Sequence, residues 1–287
     1  ATQALFTAIA AFIRPGDEVI LLEPAYDSYR PAVEVFGGVP APIVLKPPHY
    51  AVDWDEVAAR ITPRTRMIAI NTPHNPTGAI FRPADMEALQ RITAGTGILI
   101  LSDEVYEHLV YDDEVGHQSV LRYTALRERS MAIYSFGKTF HNTGWKTGYC
   151  VAPPQLTAEF RKVHQFNVFS VNTPMQHALA AFLEDPQEYL SLPDFYRLMR
   201  DYFLKAMLGS RLKPLPCNGT YFVLFDYSAI SDEPDTAFAR RMTTEFGVAA
   251  IPVSVFYSGG YDARVVRLCF AKREVTLARA GELLGRV

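Results

Sequence analysis

Between residue 1 and about residue 175, short continuous apolar runs alternate with helical patterns, and this alternation leaves few folds open. "VILLEP", "RMIAIN", "GILILSD" and "SMAIYSF" are apolar at successive positions rather than at every second one. A strand apolar on both sides must be covered on both sides, which is the condition of a parallel sheet flanked by helices. "SYRPAVEVF" and "PADMEALQRITAG" supply such helices, and "TGYCVAP" reads as one more strand. The opening "ATQALFTAIAAFIRPGDE" reads as a helix that Gly16 stops. It has no Met and begins inside the helical pattern, so an upstream segment is expected before residue 1. From about residue 174 the helical "PMQHALAAFLEDP" leads into a region with fewer and more polar strands, "GTYFVLFDY", "VAAIPV" and "RVVRLCFA". The expected architecture is α/β. A large domain over 1–174 holds a mostly parallel sheet flanked by helices, and 175–287 holds a connecting helix and a smaller α+β domain.

The 287 residues suffice for one large core, or for a large domain and a small one. With 49% apolar residues, 21% charged residues and a net charge of −3, no block of like charge marks a nucleic-acid or anionic-membrane surface. Runs such as "GILIL" are far too short to span a bilayer. Cys150, Cys217 and Cys269 are odd in number and lack C-x-x-C spacing, which predicts a reducing compartment and no thiolate metal site. No metal ligand set is expected. Glu104, Glu107 and His108 cluster, but no H-E-x-x-H is present, and they read as solvated helix surface.

Parallel sheets collect ligands at the carboxyl ends of their strands. That rule singles out Tyr26, Asn75, Asp103 and Lys138. The stretch "SFGKTFHNTGWKTGY" holds two of only seven lysines in a chain that prefers Arg. "GKT" ends the phosphate-binding P-loop pattern, but that pattern needs Gly at position 132, where Ala stands. What remains is a pair of surface lysines, or one reactive amine beside a phosphate-binding partner.

The strand ends offer an amine, an acid, a phenol at Tyr106, an amide in the turn "NPTG" and an aromatic ring at Tyr26. This inventory matches what is needed to hold pyridoxal 5'-phosphate. With "NPTG", "SDEVYEHLVY", "SFGKTFHNTGWKTGYCVAP" and "RLCFAK" in order along the chain, the sequence resembles the class I, fold-type-I aminotransferases. It looks most like the bacterial methionine aminotransferases and the related kynurenine aminotransferases.

The resemblance implies a role for each position. Lys138, in S-x-x-K, matches the lysine that bonds covalently to the cofactor and later shuttles the substrate proton; Arg cannot serve, because it stays protonated. Asp103 matches the partner of the ring nitrogen, although it also reads as an N-cap for the turn to Tyr106. Tyr106 and Asn75 match the donors to the cofactor's phenolic oxygen, and Asn75 also borders the substrate; as plain sequence "NPTG" is an ordinary turn. Tyr26 matches the stacking aromatic, or else it is core. Ala1, Thr2 and Gln3 precede the first helix, whose N–H groups would meet the phosphate with Ser135 and Lys146. Lys146 replaces the Arg of many relatives and acts there as a point charge. Arg267 matches the clamp on the substrate carboxylate, against the plain reading of an edge-strand Arg with its head in solvent. Asn218 and Tyr221 match less well and line the pocket. "KVHQFNVFSVNTP" corresponds to the segment that crosses to a partner subunit, bringing Phe169 and Ser170 near the neighbouring site; a local core role for Phe169 is the alternative.

The implied protein is a cytoplasmic homodimer with its active site near the subunit interface, binding neither nucleic acid nor membrane. It exchanges an amino group between an amino acid and a 2-oxo acid. No second Arg sits in a motif for a side-chain carboxylate, and Tyr26, Tyr29, Phe256 and Tyr257 fall in pocket-facing segments, so apolar or aromatic donors such as methionine are expected. The alternatives are a carbon–sulfur β-lyase with the same cofactor residues, and a non-enzymatic regulator domain of this fold.

Overall fold

The computed structural model describes residues 1–287. Six strands form the main sheet: β1 Glu18–Glu23, β2 Val39–Val44, β3 Thr65–Asn71, β4 Leu99–Asp103, β5 Ser130–Ser135 and β6 Gly148–Val151, in the order β2-β1-β3-β4-β5-β6. β1 to β5 run parallel. The apolar runs have the expected cause. Leu21, Leu101 and Ile133 face the helix Thr2–Phe12, while Ile20, Ile68, Ile100 and Ala132 face the helices Trp54–Arg60 and Pro83–Thr93. Each face is buried in its own apolar cluster.

The sheet is mostly parallel as expected, and two of its features were not read from the sequence. β2, "VPAPIV", is largely exposed or half-buried and carries two prolines, so it has neither the apolar run nor the donors of an inner strand. It takes the edge, where a missing N–H costs least. β6 is antiparallel to β5, with Ser135 opposite Gly148. The short connection 136–147 does not cross the sheet, so the chain returns beside the strand it left.

A second, antiparallel sheet follows: β7 Lys213–Pro214, β8 Phe222–Asp226, β9 Ile251–Pro252 and β10 Val265–Cys269, ordered β7-β8-β10-β9. Its core gathers Tyr196, Phe203, Phe225, Phe238 and Leu277, with helices Leu192–Ala206, Asp235–Phe246 and Glu274–Leu284 supplying the cover. The two sheets are joined at Gly219. Asn218 and Gly219 both donate backbone N–H groups to Gly78 O at 3.0 Å, and a side chain on Gly219 would press on Pro73 and the Leu109 carbonyl. Only a glycine permits that approach. No helix is long and apolar enough to cross a membrane.

The turn after β4 corrects one expectation. Residues 105–108 form a turn, not a helix, and Glu104 is fully buried rather than solvated. It accepts from Ser102 Oγ at 2.8 Å, Val120 N at 3.1 Å and the Tyr134 hydroxyl at 2.9 Å, and it pairs with His117 Nε2 at 2.8 Å. Burial opposes its charge, but the His117 contact and the hydroxyl donors prevail and hold its carboxyl below the usual Glu range. Glu107 and His108 are half-buried.

Candidate active site

Three parallel strands end at one place. At the end of β4, Asp103 is 4% exposed, and its carbonyl accepts from Asn71 Nδ2 at 2.8 Å. Asn71 Oδ1 accepts in turn from the Asn75 backbone N–H at 2.7 Å, so the turn after β3 is tied to the end of β4. The Asp103 carboxylate accepts from Val105 N at 3.3 Å through one oxygen and from the Tyr29 hydroxyl at 2.5 Å through the other. The capping role is therefore present, alongside a carboxylate that lines the adjacent cavity. Burial raises its pKa to about 6 against the pull of these donors, and no Lys, Arg or His pairs with it.

β5 ends at Ser135 and runs into the single-turn helix Phe136–Thr139, which lifts Lys138 beside the cavity. Lys138 Nζ donates to the Tyr221 hydroxyl at 3.0 Å and lies 5.7 and 5.6 Å from the centres of the Tyr106 and Tyr221 rings. Those rings meet edge to face at 5.5 Å. Tyr106 is buried, and burial pushes its phenol well above the ordinary range, so it stays a protonated donor.

The helix Thr2–Phe12 begins two residues earlier than the sequence suggests. Ala1 is its N-cap and Thr2 and Gln3 form its first turn, rather than preceding it. No side chain caps it, so the free N–H groups of that turn are left at the cavity wall. Across from it stand Ser135 and Lys146, the latter in the left-handed region at φ 56°. The Thr2 and Tyr26 hydroxyls lie 3.0 Å apart, which fixes the Tyr26 ring over the same space.

Ala1, Thr2, Gln3, Tyr26, Asn75, Asp103, Tyr106, Ser135, Lys138 and Lys146 thus line one cavity of about 190 Å³. Leu5, Val105, Gly137, Thr143 and Thr147 complete its wall; all but Leu5 fall within the quoted motifs, which assign them no role. Arg267 reaches the same place from β10. Its Nη1 donates to Asn75 Oδ1 at 2.5 Å, and its guanidinium lies over the Phe222 ring at 4.5 Å and near Phe256 at 5.4 Å. The head is half-buried, without a carboxylate partner, and burial lowers its pKa. The solvent-facing alternative is therefore not what forms.

Other expected positions lie elsewhere. Tyr29 is turned to Asp103, and Tyr257 is buried with its hydroxyl donating to Leu45 O at 2.7 Å, so of the four expected aromatics Tyr26 lines the cavity and Phe256 stands beside Arg267. Asn218 lines a separate cavity with His74 and Phe81. Phe169 is 78% exposed, so it has no local core role. Two residues matter more than their sequence signal suggests. Tyr221 carries the hydrogen bond to Lys138 from the edge of the second sheet. Tyr29 belongs to no catalytic pattern, and only its place near Tyr26 hints at it.

Comparison with known proteins agrees with this arrangement. The family model for aminotransferase class I and II matches residues 1–284. The chain is 53% identical over 285 residues to the methionine aminotransferase of Escherichia coli K12, spanning 99% of this chain and 74% of that protein. It is 36% identical to mouse kynurenine–oxoglutarate transaminase 1, over 96% of this chain and 72% of that one. A crystal structure of an E. coli protein with methionine aminotransferase function superposes with a TM-score of 0.97 at 53% identity, covering 100% of this chain and 76% of the other. The N-succinyldiaminopimelate aminotransferase of Mycobacterium tuberculosis superposes at 0.94 with 34% identity, covering 99% and 75%. On this match of sequence, fold and strand-end residues, the chain belongs to the class I and class II aminotransferase family.

Proposed function

We propose that the chain transfers the amino group of an apolar or aromatic amino acid, methionine first, to a 2-oxo acid, with pyridoxal 5'-phosphate held at the strand ends. One observation carries the reading: a buried carboxylate without a cation and a lysine amine held by a phenol border one cavity, and a half-buried guanidinium without an anion bonds to Asn75 on its wall. Asp103 fits a ring nitrogen, which would supply the positive charge it lacks. Arg267 fits an α-carboxylate, to which its planar fork can bind with two hydrogen bonds. The N-terminal turn of the Thr2–Phe12 helix, Ser135 and Lys146 fit a phosphate.

The cofactor, when bound, supplies an electron sink for the bond to be broken at the substrate's Cα. The chain's residues do the rest. Tyr26 covers one face of the cavity, and Tyr106 and Asn75 offer donors on one wall. Arg267, steadied by Asn75 Oδ1, orients the substrate by its carboxylate. Lys138 Nζ takes the proton from the substrate's Cα as general base, and the Tyr221 hydroxyl holds that amine in place. Phe256 stands where the substrate side chain would pass Arg267, and burying a Met- or Phe-sized group is worth about 1.5–3 kcal/mol. Dimerisation belongs to the same reading. Phe166 and Phe169, 85% and 78% exposed, would be covered by a second copy.

Mixing the loaded protein with methionine tests the reading. It expects conversion of bound cofactor to the pyridoxamine form with one equivalent of 2-oxo acid released. Release of a thiol, pyruvate and ammonia from a cysteine S-conjugate, with no pyridoxamine form, would favour the β-lyase.

A further inference from the structure

Asp103 is buried, and it meets no cationic side chain. Of its two donors, Val105 N lies at 3.3 Å and the Tyr29 hydroxyl at 2.5 Å, so one phenol provides its strong contact. Tyr29 itself is 4% exposed and stands at the start of the helix Tyr29–Val35, packed in the cluster with Leu101 and Ile133. Its ring meets the Tyr26 ring edge-on at 5.6 Å, and Tyr26 is held by Thr2 at the N-terminus of the first helix. The phenol therefore has one hydrogen-bond partner and no freedom to choose another.

We propose that Tyr29 is a positioning residue for the reaction: its hydroxyl fixes the direction of the Asp103 carboxylate and satisfies one of its oxygens, leaving the remaining acceptor capacity for the cofactor's ring nitrogen. This rests on the cofactor reading given above. A carboxylate stripped of its donor in a buried site becomes a stronger base, and a stronger base draws the shared proton from the ring nitrogen to itself. The hydrogen bond from Tyr29 works against that transfer. A phenylalanine in its place would keep the packing and lose the control.

The test compares affinities for pyridoxal 5'-phosphate and for its 1-deaza analogue, in which the ring nitrogen is replaced by CH. The wild-type chain is expected to prefer the nitrogen-bearing form. Tyr29→Phe, which leaves a stronger base opposite the ring nitrogen, is expected to enlarge that preference at least about tenfold, the worth of one hydrogen bond to a charged group. Its kcat should fall with little change in KM for the amino acid. Incorporating 3-fluorotyrosine at position 29, a stronger donor of nearly the same shape, should shrink the preference, and it serves where Tyr29→Phe does not fold. A preference left intact in both variants, with the two cofactors weakened alike, overturns the role of Tyr29 alone. Absence of any preference in the wild-type chain overturns the Asp103 assignment, and the Tyr29 role with it.

Discussion

Asp103 shows how a binding residue costs stability until its partner arrives. Burial lifts its carboxyl from 3.8 to about 6, so the cofactor-free chain holds an unfavourable charge at neutral pH. The folded pKa lies above the unfolded one. The penalty is therefore complete above about pH 6 and vanishes as pH falls below the ordinary Asp value. The gap between 3.8 and about 6 amounts to about 3 kcal/mol. Cofactor-free Asp103→Asn should accordingly be more stable than wild type at pH 8, by about 2–3 kcal/mol in denaturant titration, and the advantage should disappear near pH 4. The same variant should transaminate on the order of hundredfold more slowly, since an amide cannot keep the ring nitrogen charged. Equal stability at both pH values would mean that the carboxylate carries no desolvation penalty. A near-normal single-turnover rate would reduce Asp103 to the cap of the turn to Tyr106.

Elements were legible to different degrees, and the reason is physical. β1, β3, β4 and β5 are buried on both faces, and a short continuous apolar run between turn signals fits little besides a strand covered on both sides. The residues at their ends could be placed by the carboxyl-end rule together with motif resemblance. β2 and the direction of β6 were not legible, because an edge strand lacks the apolar signal and a short return leaves no composition mark. Nor was the burial of Glu104: besides neighbouring Ser102, its partners are His117, Val120 and Tyr134, and no local pattern announces contacts from so far along the chain. Tyr221 reaches Lys138 from 83 positions away for the same reason. β6 also carries a testable constraint. A side chain at Gly148 would overlap the Tyr134 carbonyl and sit 2.9 Å from the Ala1 nitrogen. Gly148→Ala should push β6 away from the N-terminus of the first helix and weaken cofactor affinity about tenfold or more. Fluorescence titration with pyridoxal 5'-phosphate measures this, and unchanged affinity would place the phosphate elsewhere.

At the scale of the whole molecule, the site exists because two sheets meet. The main sheet contributes Asp103 and Ser135 at its carboxyl edge and Lys138 on the helix that follows β5, and the second contributes Arg267 on β10 and Tyr221 just before β8. The glycine contact at 219 holds them in register. Specificity should follow from that junction. In the proposed reading Arg267 would be taken by the α-carboxylate and Phe256, beside Arg267, would border the side chain, while Lys138 and Lys146 are the cationic side chains on the cavity wall. We expect kcat/KM for methionine and phenylalanine to exceed that for aspartate at least tenfold, because a second carboxylate would be buried unpaired. A preference for aspartate would contradict this account of the pocket.

The central claim is that Lys138 carries the covalent chemistry while Lys146 supplies only charge. Borohydride reduction of the loaded protein, followed by peptide mapping, tests it most directly. The account predicts one pyridoxyl group on the peptide holding Lys138 and none in the Lys138→Ala variant. A pyridoxyl group on Lys146, or on any other of the seven lysines, would contradict it.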